Sequence, residues 1–346
     1  MKKKILSLGV VAILVVMLIV LTGCGNNNGE QTDANNSKIS KNSLASKVKI
    51  GDYVDYKTVA DNKYISTTDK TGYTKEQVFI TTGEEKWRVL DVAEDGTVTL
   101  ISEEQIKTNQ NDTYYLIGAK GYENSVSELN NIASIFGNGN HAASARHLTR
   151  EDVNNLIGIE KFARYNNVDL SNYSTEQEKW DAVFSAMNEN YGKEKTISSE
   201  NNTKQFKVDA NSSEGKVEVE SSKETPNYYE VKLSDFEEEN TIYQELLNGR
   251  YWLANKITRY VYSSNLQGTS EYFNYEIGYL SSASSSRGKF NLDAEYDSVS
   301  LVCGGNYATQ SGYTNYNRYI RPVVILDKEV KCDGGTGTSS DPFILD

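Results

Sequence analysis

A predominantly apolar run of seventeen residues, Ile5–Leu21, follows Lys2, Lys3 and Lys4 and closes on Thr22 and Gly23 before Cys24. A charged start, an apolar stretch and small residues at its exit form the pattern of a secretory signal. As an uncleaved helix the run would reach roughly 26 Å at ~1.5 Å per residue, short of the ~30 Å hydrocarbon core. Either fate places residues 25–346 outside the cytoplasmic membrane, so the rest of the chain is expected to fold there.

The tetrapeptide Leu21-Thr22-Gly23-Cys24 resembles the bacterial lipobox. The resemblance implies cleavage before Cys24, whose thiol would carry a diacylglycerol, and hence a lipid anchor in the membrane; two acyl chains suffice for stable anchoring. Residues 1–23 are then a lipoprotein signal peptide. Residues 24–47 contain almost no large apolar side chain, cannot offset their ordering entropy by burial, and read as a flexible tether. Removing the signal removes three lysines, so 33 basic against 48 acidic residues leave a mature charge of −15. Such a surface would be held off anionic headgroups. It also argues against nucleic acid, whose phosphates are bound by Lys/Arg clusters. Two histidines and three cysteines argue against a metal centre built on those ligands, and no cofactor motif is present.

Residues 48–346 are expected to form one α+β domain. Val48–Tyr56 alternates apolar and polar residues around Gly51-Asp52 and predicts one strand or two short ones. Trp87–Val92 and Val98–Ile101 flank Asp95-Gly96, which predicts a hairpin because that dipeptide tolerates positive φ. Ser125-x-x-Glu128, Thr149-x-x-Asp152 and Ser174-x-x-Gln177 each predict a helix start. Trp180, Val183, Phe184, Met187 and Tyr191 recur at helical spacing in the third, a stripe expected to pack in the core. A polar insert spans about 193–223, where Phe206–Val208 and Lys216–Glu220 could pair as a hairpin. A short helix follows at about Thr241–Leu247.

Fourteen of the 24 tyrosines fall between Tyr228 and Tyr319, among Ser, Asn and Gly. That mixture suits adaptable binding loops, since Tyr offers large amphipathic area at low rotamer cost; it also fills cores poor in helices. In the same region Tyr251-Trp-Leu-Ala-Asn-Lys256 and Arg321-Pro-Val-Val-Ile-Leu326 resemble two motifs of an uncharacterised family of Gram-positive surface proteins. Ala145–Leu148, Gly51–Val54, Trp87–Leu90 and Gly335–Phe343 fit its pattern as well. The resemblance covers about 48–346 and implies the C-type-lectin-like fold shared with formylglycine-generating enzymes. That fold is loop-rich, with its first and last strands paired and its binding surface on long irregular loops. Asn255 and Lys256 depart from the family's Ser and Arg.

The residues single out no catalytic group. His141 and His147 lack an identifiable nucleophile or ligand partner, and Cys303 and Cys332 stand 29 residues apart, unlike the close pair of formylglycine-generating enzymes. The latter two form a possible disulfide, the lipid having taken Cys24. Arg146 and Arg321 flank apolar runs that should enter the core, so each should find a carboxylate or backbone carbonyls. Trp252 should be a core aromatic, and Pro322 opens a strand, where Pro is tolerated. The expected role is non-catalytic binding of an extracellular glycan or protein, with Tyr260, Tyr262, Tyr272, Tyr275 and Tyr279 as contact residues. A structural envelope component, an exported enzyme such as a glycan hydrolase, and a transporter's solute-binding lipoprotein stand as alternatives.

Overall fold

The computed structural model describes residues 40–66, 76–110, 113–116, 118–191, 205–207, 218–220, 231–232, 242–265, 268–282, 290–292, 317–328 and 330–346; over 257–276 the description covers the backbone only. The signal, most of the tether, Cys24, Cys303 and most of the polar insert lie outside it. What is described is a mixed α+β unit with several small sheets. No helix of the described residues is long and apolar enough to cross a membrane.

The main sheet has five strands. In spatial order they are β1 (Tyr53–Val54), β4 (Trp87–Val92), β5 (Val98–Ser102), β15 (Pro322–Leu326) and β7 (Ala142–His147), with antiparallel neighbours throughout. The β4–β5 hairpin forms as Asp95-Gly96 predicts: Gly96 sits at φ +86° and the Thr97 N–H donates to Asp95 Oδ1 at 3.0 Å. Successive side chains point to opposite faces of a strand, and here each face feeds its own cluster. Leu90, Ile101 and Val323 enter a core on one side, whereas Val89, Leu100 and Val324 enter another. This accounts for the unbroken apolar run of β15, which is central and buried on both faces. Pro322 is its first residue.

The first core is roofed by α2 (Arg150–Ile157), α3 (Ile159–Tyr165), α4 (Glu176–Tyr191) and α5 (Ile242–Leu246), through Val153, Ile157, Phe162, Val183 and Leu246. Thr149 and Asp152 close the predicted capping box on α2, side chain to backbone in both directions. On α4 the equivalent pair is Thr175 and Glu178 rather than Ser174 and Gln177: the Glu178 carboxylate accepts the Ser174 and Thr175 N–H groups at 3.0 and 2.9 Å. The α3 helix is an element the start signals miss, because Gly158 at φ +93° both ends α2 and precedes α3 without a side-chain cap.

A second cluster joins α1 (Gly118–Ser134) to the paired strands β2 (Lys63–Ser66) and β3 (Gln77–Ile80), and to β6 (Tyr114–Tyr115) and β14 (Asn317–Arg318), through Phe79, Tyr114, Leu129 and Ile132. The Ser125 capping box is not realised, since α1 begins seven residues earlier and Ser125 lies inside it. In the insert, β8 (Gln205–Lys207) pairs with β9 (Glu218–Glu220), the hairpin foreseen there.

Closure of the domain differs from the expected pairing of first and last strands. Strand β1 pairs with β4 at the sheet edge, and Pro322–Leu326 lies between β5 and β7. The termini meet instead through the tail, where β16 (Cys332–Gly334) and β17 (Ile344–Leu345) pair and Phe343 bridges Val54. The Phe343 N–H donates to Tyr53 O at 2.9 Å and the Asp55 N–H donates to Phe343 O at 2.8 Å. Leu44, Val54, Trp87 and Phe136 pack with Phe343 and Cys332 in the third cluster, so the end of the expected tether 24–47 belongs to the folded unit, its Leu44 N–H bonded to Val330 O at 2.8 Å. The Cys332 thiol is buried and approaches Gly334 O at 3.3 Å, while Cys303, the other member of the possible disulfide, lies outside the described residues.

This closure depends on one backbone conformation. Gly335 sits at φ +89°, where a Cβ would stand 2.0 Å from Pro342 O. Gly335→Ala is therefore expected to destabilise the protein by roughly 1–3 kcal/mol. Gly334→Ala, whose Cβ would meet nothing nearer than 3.9 Å, should leave the thermal midpoint close to that of the parent; differential scanning calorimetry checks both.

Candidate functional site

Within the Tyr-rich region, the described residues 250–265 and 268–282 form a hairpin where irregular loop was expected, while Tyr228, Tyr229, Tyr296, Tyr307, Tyr313 and Tyr316 lie outside the described residues. Strands β11 (Arg250–Asn265) and β12 (Gly268–Ser282) pair along nearly their whole length and carry β13 (Phe290–Leu292) and β10 (Val231–Lys232) on the β12 side. The reason is legible afterwards: Ile257, Thr258, Tyr260, Val261 and Tyr262 are β-branched or aromatic, and Tyr272, Phe273, Tyr275 and Ile277 answer them across Gly268. Arg259, Asn274 and Glu276 interrupt these runs, and Ser, Asn and Gly flank them.

The base of the hairpin is clamped between two cores. Trp252, Ala254, Ile277 and Tyr279 face the second cluster, while Tyr251, Leu253 and Leu280 face the first. Trp252 donates its indole N–H to Tyr114 O at 3.0 Å, as expected of a core aromatic. The Arg318 guanidinium lies 4.8 Å from the Tyr279 ring and 5.9 Å from the Trp252 ring; burial, aided by Arg250, pushes its pKa down to about 10. Tyr279 is only 6% exposed, so it belongs to the core and not to a contact surface. It was the one residue of the five whose position opposite Trp252 made burial the stronger demand.

Beyond an irregularity between Trp252 and Lys256, the register is continuous to Asn265 opposite Gly268. Thr258 pairs with Tyr275, Tyr260 with Phe273 and Tyr262 with Glu271. Cross-strand partners share a face and residues two apart share a face. Tyr260, Tyr262, Phe273 and Tyr275 therefore occupy one face, and it is the face that Ile277 and Tyr279 occupy in the base. Tyr272, opposite Val261, occupies the other. Phe273 was missed as a site residue because only tyrosines were weighed.

The two arginines lie at the junction of the hairpin with the sheet. Arg321 is 1% exposed, and its guanidinium donates to Ser102 O at 2.8 Å, Asn248 O at 2.9 Å and Leu246 O at 2.7 Å. Two of these acceptors follow or end α5, where the helix dipole favours a cation, and the Tyr251 ring lies 5.2 Å away. Arg146 instead makes a two-pronged contact with Asp152, at 2.5 and 2.6 Å. Burial works against its charge, but Asp152 more than offsets this and holds its pKa above the ordinary value.

His147 joins them. Its Nε2 accepts the Arg321 backbone N–H at 3.0 Å, which leaves the proton on Nδ1, facing Leu148 O at 3.0 Å. Burial pushes its pKa down to about 4, against a smaller upward pull from Leu148 O and Asp152. It is therefore structural, as is His141, which takes φ +72° where its backbone O accepts from the Asp327 N–H. Among the described residues, no three His, Cys, Asp or Glu stand close enough together to hold a metal ion.

Two outcomes are expected. A histidine whose folded pKa lies below its unfolded ~6.5 contributes stability that is complete above pH ~6.5 and is lost as pH falls towards 4, because the unfolded chain binds the proton first. Urea titrations should show stability falling through that window by up to roughly 3 kcal/mol, with a shallower fall in His147→Gln. Arg321→Lys, whose single ammonium cannot span three carbonyls, should cost about 2–4 kcal/mol at pH 7, measured the same way.

Compared with known proteins, the chain matches no family model, no curated protein and no solved structure.

Proposed function

We propose that this chain is an exported lipoprotein, anchored through Cys24 at the outer face of the cytoplasmic membrane, that binds an extracellular glycan or protein without catalysis. The observation that supports this reading is the register of the β11–β12 hairpin, which gathers Tyr260, Tyr262, Tyr275 and Phe273 on one face. From Lys256 to Asn265 the ribbon extends about 30 Å at ~3.4 Å per residue. Two strands alone are marginal in water and gain stability when one face is covered. Four aromatic residues on one face of the ribbon offer large stacking area with few rotatable bonds to immobilise. Both glycans and protein surfaces use such area. Tyr272 is placed on the opposite face and Tyr279 in the core, so neither belongs to this surface.

The mixed α+β architecture is compatible with the C-type-lectin-like fold that the Tyr251–Lys256 and Arg321–Leu326 motifs resemble, with binding moved from irregular loops to a hairpin. The mature charge of −15 on a flexible tether would hold that hairpin away from anionic headgroups.

The test is a glycan array with a surface-protein pulldown on the detergent-solubilised full chain. Tyr260→Ala combined with Tyr262→Ala is expected to reduce captured ligand at least tenfold with a thermal midpoint unchanged within 2 °C. Tyr279→Ala should instead lower the midpoint sharply, a large core truncation costing about 3–5 kcal/mol. Loss of stability without loss of binding in the paired variant would replace this reading by that of a structural envelope component.

A further inference from the structure

Away from the hairpin face, the segment Ser102–Asn109 runs between two open clefts of about 540 and 470 Å³, within the ~300–1,000 Å³ usual for small-ligand sites. Glu104, Gln105 and Lys107 line both, so the two clefts are halves of one groove with these three residues at its saddle.

The saddle is rigid. The Ile106 N–H donates to Ile320 O at 2.8 Å and Ile106 O accepts the Ile320 N–H at 3.1 Å, while the Glu103 and Asn109 N–H groups donate to Lys86 O and Val78 O, both at 2.8 Å. Gln105 is oriented as well, because its Oε1 accepts the Arg250 N–H at 3.0 Å. Its amide also packs where a Cβ on Gly249 would stand 2.0 Å from Nε2. The Nε2 protons of Gln105 and the carboxylate of Glu104 make no hydrogen bond within the described residues, and the Lys107 ammonium lies 6.0 Å from the centre of the Tyr319 ring.

The first cleft adds Thr82, Asn109 and Glu84 as further hydrogen-bonding groups, and Ile80, 37% exposed, as an apolar floor beside Ile106. Carboxylates accept hydrogen bonds from hydroxyls and amides both donate to and accept from them, and apolar side chains beside a few placed polar groups are the usual lining of a small-ligand site. The charge sets the remaining limit. Four carboxylates against two ammonium groups line the first cleft, and three carboxylates against two guanidinium groups and the shared Lys107 the second, so the excess of negative charge lies in the first cleft, where it disfavours anionic chains and favours neutral or amine-bearing ones.

We propose that the Glu104–Lys107 saddle with its flanking clefts is a second binding site, distinct from the hairpin face, for a linear hydroxyl-rich sugar chain that carries no negative charge, with an amine-bearing chain preferred. The site does not depend on the hairpin reading. Its expected ligand spans the saddle, with a ring in each cleft and the Glu104 carboxylate and Gln105 amide between them.

The full-length protein in detergent, titrated calorimetrically with β-1,4-linked glucosamine pentasaccharide, its N-acetylated counterpart and an oligogalacturonate, tests this. Both uncharged and amine-bearing chains should bind and the oligogalacturonate should not. The amine-bearing chain should bind more tightly and weaken as salt is raised. Glu104→Ala, at an exposed position, should weaken binding of both chains at least tenfold, Lys107→Ala should weaken the N-acetylated chain at least threefold, and Tyr260→Ala with Tyr262→Ala should leave binding unchanged. No binding at millimolar sugar, preference for oligogalacturonate, or binding insensitive to Glu104→Ala would each overturn the proposal. Loss confined to the tyrosine variant would do so as well, while supporting the hairpin face as the sugar site.

Discussion

Among the described residues the buried Arg321 guanidinium is hydrogen-bonded by backbone carbonyls and by no carboxylate, and the elements around it meet at those carbonyls. An isolated charge in a low-dielectric interior is costly, and only well-aimed hydrogen bonds offset the loss of water. Three carbonyls supply them, one ending β5 and two at the close of α5. Arg321 thereby ties the sheet to the helix that precedes the hairpin. Its backbone N–H engages His147 and its carbonyl accepts from Leu148, so the adjacent strand is tied at the same point. The Tyr251 ring, held by its hydroxyl on Leu247 O at 2.9 Å, closes the arrangement.

From that junction the two sides of the molecule diverge in chemistry. Each central strand sends alternate residues to two cores, so the sheet acts as a partition that cannot slip by one residue without exchanging them. The hairpin leaves this partition with both of its faces buried at the base, Tyr251 and Leu253 on one side and Trp252 and Ala254 on the other. Fixing the base on two sides gives a long ribbon a rigid root, and the aromatic stripe beyond it inherits the face of Ile277 and Tyr279. The groove beside Glu104–Lys107 is rigid for a related reason: its backbone is bonded to Ile320, one residue before Arg321.

What was legible in the sequence follows the range of the interactions involved. The Asp95-Gly96 hairpin and the Thr149 capping box are local, set by φ preferences and by a side chain reaching three residues, and both are present. The needs of Arg146 and Arg321 were legible as a need for partners, since a charge beside an apolar run must be answered somewhere. Their identities were not: Asp152 is six residues away, but Ser102 is 219. Ser125-Val-Ser-Glu has the form of a helix start, yet α1 begins at Gly118 and Ser125 lies buried inside it. The β11–β12 pairing is hard to see in the sequence because Arg259, Asn274 and Glu276 break its β-rich runs and Ser, Asn and Gly flank them. The five tyrosines chosen as a group separate once register is fixed, into one face, its reverse and the core.

By itself the sequence determined the expectation of export and lipid attachment, from an apolar run and a lipobox-like tetrapeptide, and the acidic character that disfavours phosphate polymers. It also determined the local turns and caps, because each depends on a few neighbouring residues. Tertiary structure alone decided that Val323 and Val324 serve different cores, that the termini close through Phe343 and not through β15, and which tyrosines share a face. Those outcomes rest on strand order and register, which are set by contacts between residues tens to hundreds of positions apart and leave no trace in any short window of sequence.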